Sequence, residues 1–192
     1  FMAMRRAAFS AQPNMQPSKL ERIIELVDES IDSGQKIIVF SYFRSVIEQV
    51  MQALGERAIG PITGSVSSTQ RQNIVDQFQN SPIPLALVGQ IQAAGTGLNI
   101  QAASVVIICE PQIKPSLEVQ AIARAHRMGQ VRTVQVHRLI VPESVDEQML
   151  AMLARKQAEF NEYARESALA DGATGAKDIG EESIAKVIVM EE

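Results

Sequence analysis

The stretch Gln120-Ala-Ile-Ala-Arg-Ala-His-Arg-Met-Gly-Gln130 decides how this chain is read. On a helix, at about 100° per residue, Gln120, Arg124 and Arg127 fall within roughly 60° of one another. Ala121, Ile122 and Ala125 fall on the other side, where they can pack against a sheet. Two guanidinium groups and an amide on one outer face make a planar, multi-donor clamp for an anion. The plain alternative is an arginine face that is simply solvated. His126 points towards the packed side and reads as a structural histidine. Upstream, Ser116 can cap the helix and Glu118 suits its positive end. Gly129 can close it.

The surrounding charge supports the clamp. The chain of 192 residues carries a net charge of −4, which by itself argues weakly against a nucleic-acid binder. The charge is unevenly placed, however. Residues 143–192 hold 12 acids and 5 bases, whereas residues 1–142 hold 13 bases and 10 acids. Between Val119 and Pro142 there is no acid, but there are four arginines and both histidines of the chain. Such a stretch suits nucleotide phosphate or a nucleic-acid backbone.

Apolar runs flank this helix. They fall at 36–40, 58–62, 85–88, 105–109 and 134–140, with helical patterns at 19–32, 44–54, 68–79 and 116–128 between them. Alternating strands and helices predict a parallel sheet with helices on both faces. Pro61 marks its run as a weak or edge strand. A final long helix is expected over 145–165. Residues 1–18 show no clear period and read as an extension, and 166–192 as an acidic tail. The expected domain is 19–165. A first residue of Phe rather than Met suggests a piece of a longer chain.

In an open parallel sheet, ligands bind beyond the carboxyl ends of the strands. The loops there are Ser41-Tyr-Phe-Arg44, Thr63-Gly-Ser65, the glycine-containing segment 90–100 and Glu110-Pro-Gln-Ile-Lys-Pro115. The Gly95-Thr-Gly97 turn is no dinucleotide fingerprint, because Ile100 stands at the sixth position. None of the 11 glycines precedes a lysine, so there is no P-loop. Asp28-Glu29 and Asp146-Glu147 sit in helical patterns and read as solvated charges. Two histidines and one cysteine at scattered positions make no zinc site. Cys109, inside an apolar run, reads as a buried strand residue in a reducing compartment. No apolar stretch reaches the length of a membrane span.

The order of these motifs resembles the C-terminal RecA-like lobe of superfamily-two helicases, specifically the Swi/Snf type. Ile37-Ile-Val-Phe-Ser-Tyr-Phe43 is similar to the fourth motif of that family, and Thr63-Gly-Ser65 with Gln70-Arg71 to the next. Residues 93–99 are similar to the fifth, and 120–130 to the sixth. Val136-His-Arg-Leu-Ile140 and Ser144-Val-Asp-Glu147 resemble the segment after it. Ala94, Gln92 and Ile113 depart from the residues usual there. The resemblance covers about residues 19–165.

The resemblance implies a division of labour. ATP with Mg2+ is held by a preceding RecA-like lobe of the same chain, which carries the P-loop and acidic box. Arg124 and Arg127 reach across to its phosphates as catalytic fingers. Gln120, Gly95, Gly97 and Asn99 belong to the ATP cleft. Ser41, Thr63, Gly64, Ser65 and Gln92 grip the backbone of double-stranded DNA. The helix 145–165 braces the two lobes. A protein on the DNA is an expected further partner, a membrane is not, and the lobe alone is inactive. The expected location is the bacterial cytoplasm and nucleoid, or a eukaryotic nucleus. Two other readings stay open: a non-catalytic module docking on DNA or protein, and an RNA helicase, which the Arg-Met-Gly-Gln segment disfavours.

Overall fold

The computed structural model describes residues 2–10, 18–94, 98–125 and 133–170. Five strands form one sheet: β1 (Lys36–Ser41), β2 (Ala58–Ile62), β3 (Ala86–Gln90), β4 (Ala103–Ile108) and β5 (Gln135–Arg138). Their order is β2-β3-β1-β4-β5, and every pairing is parallel. The helices are α1 (Met2–Ser10), α2 (Lys19–Asp32), α3 (Arg44–Leu54), α4 (Ser68–Asn80), α5 (Ile91–Ala94), α6 (Pro115–Ala125) and α7 (Val145–Ala170).

Parallel neighbours cannot be joined by tight hairpins, so each crossover lays a helix on a face. β1 shows the consequence. Ile37 and Val39 pack with Ile23 and Val27 of α2 and with Val46 and Val50 of α3. Ile38 and Phe40 point the other way, to Val75 and Phe78 of α4 and to Ala121 and Ala125 of α6. A strand covered on both faces must be apolar where it is covered, as this one is from Ile37 to Phe40. β2 lies at the sheet edge, where Pro61 costs no ladder hydrogen bond.

Local signals set the helix starts. Ser18 with Glu21, and Ser67 with Gln70, form capping boxes on α2 and α4. Helix α6 begins at Pro115, one residue before the serine expected to cap it. Proline has no N–H to leave unpaired at a first helical position, and its fixed φ suits the turn.

Two regions depart from the sequence expectations. Met2–Ser10 is helical although its residues show no clear period. Tertiary contacts hold it: Phe9 is buried with α2, and the buried Arg5 donates to the Pro111 carbonyl at 2.5 Å and lies 5.4 Å from the Phe43 ring centre. Asp146, expected to be solvated, is 0% exposed. Val145 and Met149 bury the first turn of α7 and carry Asp146 inward. Lys19 compensates, its Nζ lying 2.5 Å from Asp146 Oδ2 and donating to the Cys109 carbonyl at 2.9 Å. Asp28 lies nearer the surface and pairs with Arg57.

The chain divides into two compact units, Phe1–Met152 and Leu153–Glu192. The sheet and all the site residues lie in the first. Among the described residues, no helix is long and apolar enough to cross a membrane.

Candidate functional site

The carboxyl edge of the sheet is knitted by a chain of polar contacts. Gln90, at the end of β3, accepts from the Gly64 N–H at 3.3 Å and donates to the Tyr42 carbonyl at 3.1 Å. Glu110, just past β4, accepts from the Tyr42 N–H at 2.6 Å and from the Ser41 hydroxyl at 2.9 Å. The Gln112 side chain donates to Glu110, and the Gln112 N–H donates to Glu118 Oε1 at 2.8 Å. Arg138, at the end of β5, closes the series with Nε and Nη2 on Glu118 Oε2. All five strands are tied at this edge, directly or through their following loops.

Burial pushes the Glu110 carboxyl above its ordinary range. The Tyr42 N–H, the Ser41 and Gln112 side chains and the Lys19 charge pull it part of the way back. Burial also raises the Cys109 thiol well above its usual value, with the Glu110 charge adding to the rise, so this buried thiol is unreactive.

The residues expected to meet a nucleic-acid backbone divide into two kinds. Gly64, Ser65 and Gln92 are exposed. Thr63 is buried, with its hydroxyl 2.9 Å from that of Ser65. Arg71 supports this loop from α4, donating to the carbonyls of Val66 at 2.8 Å and Gly64 at 3.2 Å, and it reaches the Ala93 carbonyl at 3.4 Å. Ser41 corrects the expectation of a direct grip. It is 1% exposed, its hydrogen goes to Glu110, and its oxygen accepts from the Phe43 N–H at 3.0 Å. A hydroxyl so engaged positions the loop and does not reach an outside phosphate.

Helix α6 follows the expected division of faces. Ala121 and Ala125 are fully buried and Ile122 packs against the same cluster, while Gln120 is exposed and Arg124 is half-buried. The segment resembling the fifth motif runs beside it: α5 packs on α6, and the Ile100 N–H donates to the Arg124 carbonyl at 3.1 Å. Asn99 is exposed next to this bond. Glu118, on the buried face of α6, is paired with Arg138. Gly95, Gly97, His126, Arg127 and Gly129 lie outside the described residues. Among the described residues, no group of three or more His, Cys, Asp or Glu could hold a metal ion.

Reasoning from the sequence missed Glu110, Gln112 and Glu118 as structural pins. Glu110 had a signal: it is an acid directly after an apolar run and before a proline.

A five-stranded parallel sheet, with a glutamine–arginine helix packed beside α5 and the segment 98–100, is the architecture of a RecA-like helicase C-terminal lobe. Residues 18–129 match the helicase conserved C-terminal domain. An uncharacterized ATP-dependent helicase of Mycoplasma pneumoniae is 35% identical over 142 residues, covering 73% of this chain and 14% of that protein. The SWI/SNF-related matrix-associated actin-dependent regulator of chromatin subfamily A-like protein 1 of Xenopus tropicalis is 30% identical over 142 residues, covering 72% of this chain and 15% of that protein. The solved C-terminal part of the Fun30 ATPase domain superposes with a TM-score of 0.65 at 28% identity, over 73% of this chain and 47% of that one. The chain belongs to the helicase conserved C-terminal domain family, of the Swi/Snf type. It spans about one seventh of the length of the relatives it matches.

Proposed function

We propose that this chain is the second motor lobe of an ATP-dependent DNA translocase. A preceding lobe supplies the P-loop, and with it the hold on ATP and Mg2+. This lobe closes on that nucleotide with α6 facing it. Arg124 and Arg127 meet the developing charge on the transferred phosphoryl group, while Gln120 and Asn99, with Gly95 and Gly97, line the cleft. An arginine finger acts on phosphoryl transfer mainly by stabilising transition-state charge, and is worth about 10³–10⁵ in rate. The observation that carries the reading is α6 itself: two buried alanines seat it, Gln120 is exposed, and Arg124 lies in its last turn beside the segment 98–100.

On the DNA side, Ser65 and Gln92 are exposed polar side chains, Gly64 lets a backbone approach closely, and Thr63 shapes their loop. Contacts of this type carry no base information, so binding should be sequence-tolerant and salt-sensitive. Closing and opening of the two lobes would move the motor along the duplex. A protein on that duplex is the natural object of the motion.

The test is ATP turnover with and without the P-loop lobe. This chain alone should hydrolyse ATP negligibly, and the two-lobed protein should do so with stimulation by duplex DNA. Stimulation by RNA and not by duplex DNA would replace the reading with an RNA helicase. A P-loop-deficient partner lobe and no turnover would leave a docking module.

A further inference from the structure

Helix α6 has a seating problem. Its fully buried apolar residues are Ala121 and Ala125, two methyl groups, with Ile122 packed at their margin. Apolar contact of that kind is non-directional, and it holds a helix against a sheet without fixing its roll. An arginine on the outer face would swing with any such roll. Glu118 stands on the same buried face, since it and Ala125 are seven residues, close to two turns, apart.

Its carboxylate supplies what the alanines lack. Glu118 is 4% exposed and both of its oxygens are used. Oε1 takes the Gln112 N–H at 2.8 Å, from the loop after β4. Oε2 takes Arg138 Nε at 2.8 Å and Nη2 as well, from the end of β5. The bonds come from two different strands' ends, and charge-assisted bonds are directional and about twice as strong as neutral ones. The far end of the helix is held by the Ile100 N–H on the Arg124 carbonyl. Pinned at both ends, α6 has one roll and one tilt.

We infer that Glu118 and Arg138 form a clamp that positions α6, and so sets where Gln120 and Arg124 point. Both are positioning residues that act through the helix, and the inference rests on the reading of Arg124 and Arg127 as fingers. Misplacing a catalytic group by about 1 Å through a distant change can cost about 10²-fold in rate. The expected signature is therefore a fall in kcat, with the KM for ATP and the affinity for duplex DNA kept.

The experiment uses the two-lobed protein and measures kcat, KM for ATP, DNA affinity and thermal midpoint together. Glu118→Ala should lower kcat by about 10²-fold at unchanged KM and DNA affinity. Glu118→Gln keeps one accepting oxygen but turns its amide NH2 on the other donor, so it should recover only part of the rate. Should Glu118→Ala fail to fold, Arg138→Lys decides: it keeps the charge but loses the two-pronged donor, and kcat should fall while KM holds. Wild-type kcat in Arg138→Lys and Glu118→Gln alike, with Glu118→Ala either active or lost in proportion to its folded fraction, overturns the clamp. Arg124→Ala and Arg127→Ala are run alongside. If these stop turnover and the clamp variants do not, the clamp alone is wrong; if they turn over normally, the finger reading falls and the clamp with it.

Discussion

Ser41 and Glu110 meet inside the carboxyl edge of the sheet, the serine hydroxyl donating to the glutamate at 2.9 Å with both residues 1% exposed. The pair joins the end of β1 to the loop after β4, so the edge acts as one unit.

Ser41→Ala leaves a buried carboxylate oxygen short of a donor. A buried polar group left unsatisfied costs about 1–3 kcal/mol. Denaturant unfolding of this chain should show that loss, while the DNA affinity of the folded variant stays unchanged. Unchanged stability with weakened DNA binding would return Ser41 to the surface as a phosphate contact.

Glu110 gives the fold a pH dependence. Its folded-state pKa is raised by burial, so the folded form holds its proton to higher pH than the unfolded form does. The stability contributed by that proton is fully present below the ordinary glutamate value of 4.5 and is lost as pH rises through the raised value. Glu110→Gln cannot lose a proton and should flatten this part of the profile. Unfolding midpoints measured from mildly acidic to neutral pH check the point; an identical slope in both proteins would contradict it.

The Lys19–Asp146 pair is buried on both sides. Removing one partner strands a charge, at a cost of about 3–5 kcal/mol. Asp146→Ala should therefore unfold at much lower denaturant. Lys19→Met with Asp146→Leu, which removes both charges, should recover most of the loss. Equal losses in the single and double variants would argue against an ion pair as the cause.

Arg5 is the tether of α1. Its bond to the Pro111 carbonyl crosses 106 residues of sequence. A hydrogen bond to a charged group contributes about 1.5–3 kcal/mol. Arg5→Ala should speed amide exchange across residues 2–10 and leave the sheet protected; unchanged exchange there would assign the helix to Phe9 alone.

The sheet was legible because the buried central strands β1, β3 and β4 announce themselves as short apolar runs; β2 and β5, at the edges and less buried, also fall at the expected places, β5 within a run that alternates rather than one that is apolar throughout. The edge position of β2 followed from Pro61 alone. The two faces of α6 followed from spacing, since alanine and arginine sort cleanly at helical period. What escaped was non-local. Nothing within residues 2–10 shows that Phe9 has a pocket or that Arg5 has a carbonyl to reach. Asp146 reads as solvated until Lys19 arrives from 127 residues away. Ser41 has the chemistry of a phosphate contact, and only Glu110, brought beside it by the β1–β4 pairing, turns it inward. The exposed loops carry residues suited to a backbone, but their ligand is read from chemistry and kinship, not from packing.

On the proposed reading, Arg124 of α6 and Arg127, two positions past the described end of that helix, act as fingers on ATP held by another lobe. The most direct measurement is duplex-DNA-stimulated ATP turnover by the two-lobed protein carrying Arg124→Ala or Arg127→Ala. Turnover should fall by about 10³-fold or more in each, with the thermal midpoint and DNA affinity retained. Wild-type turnover in both variants would contradict it.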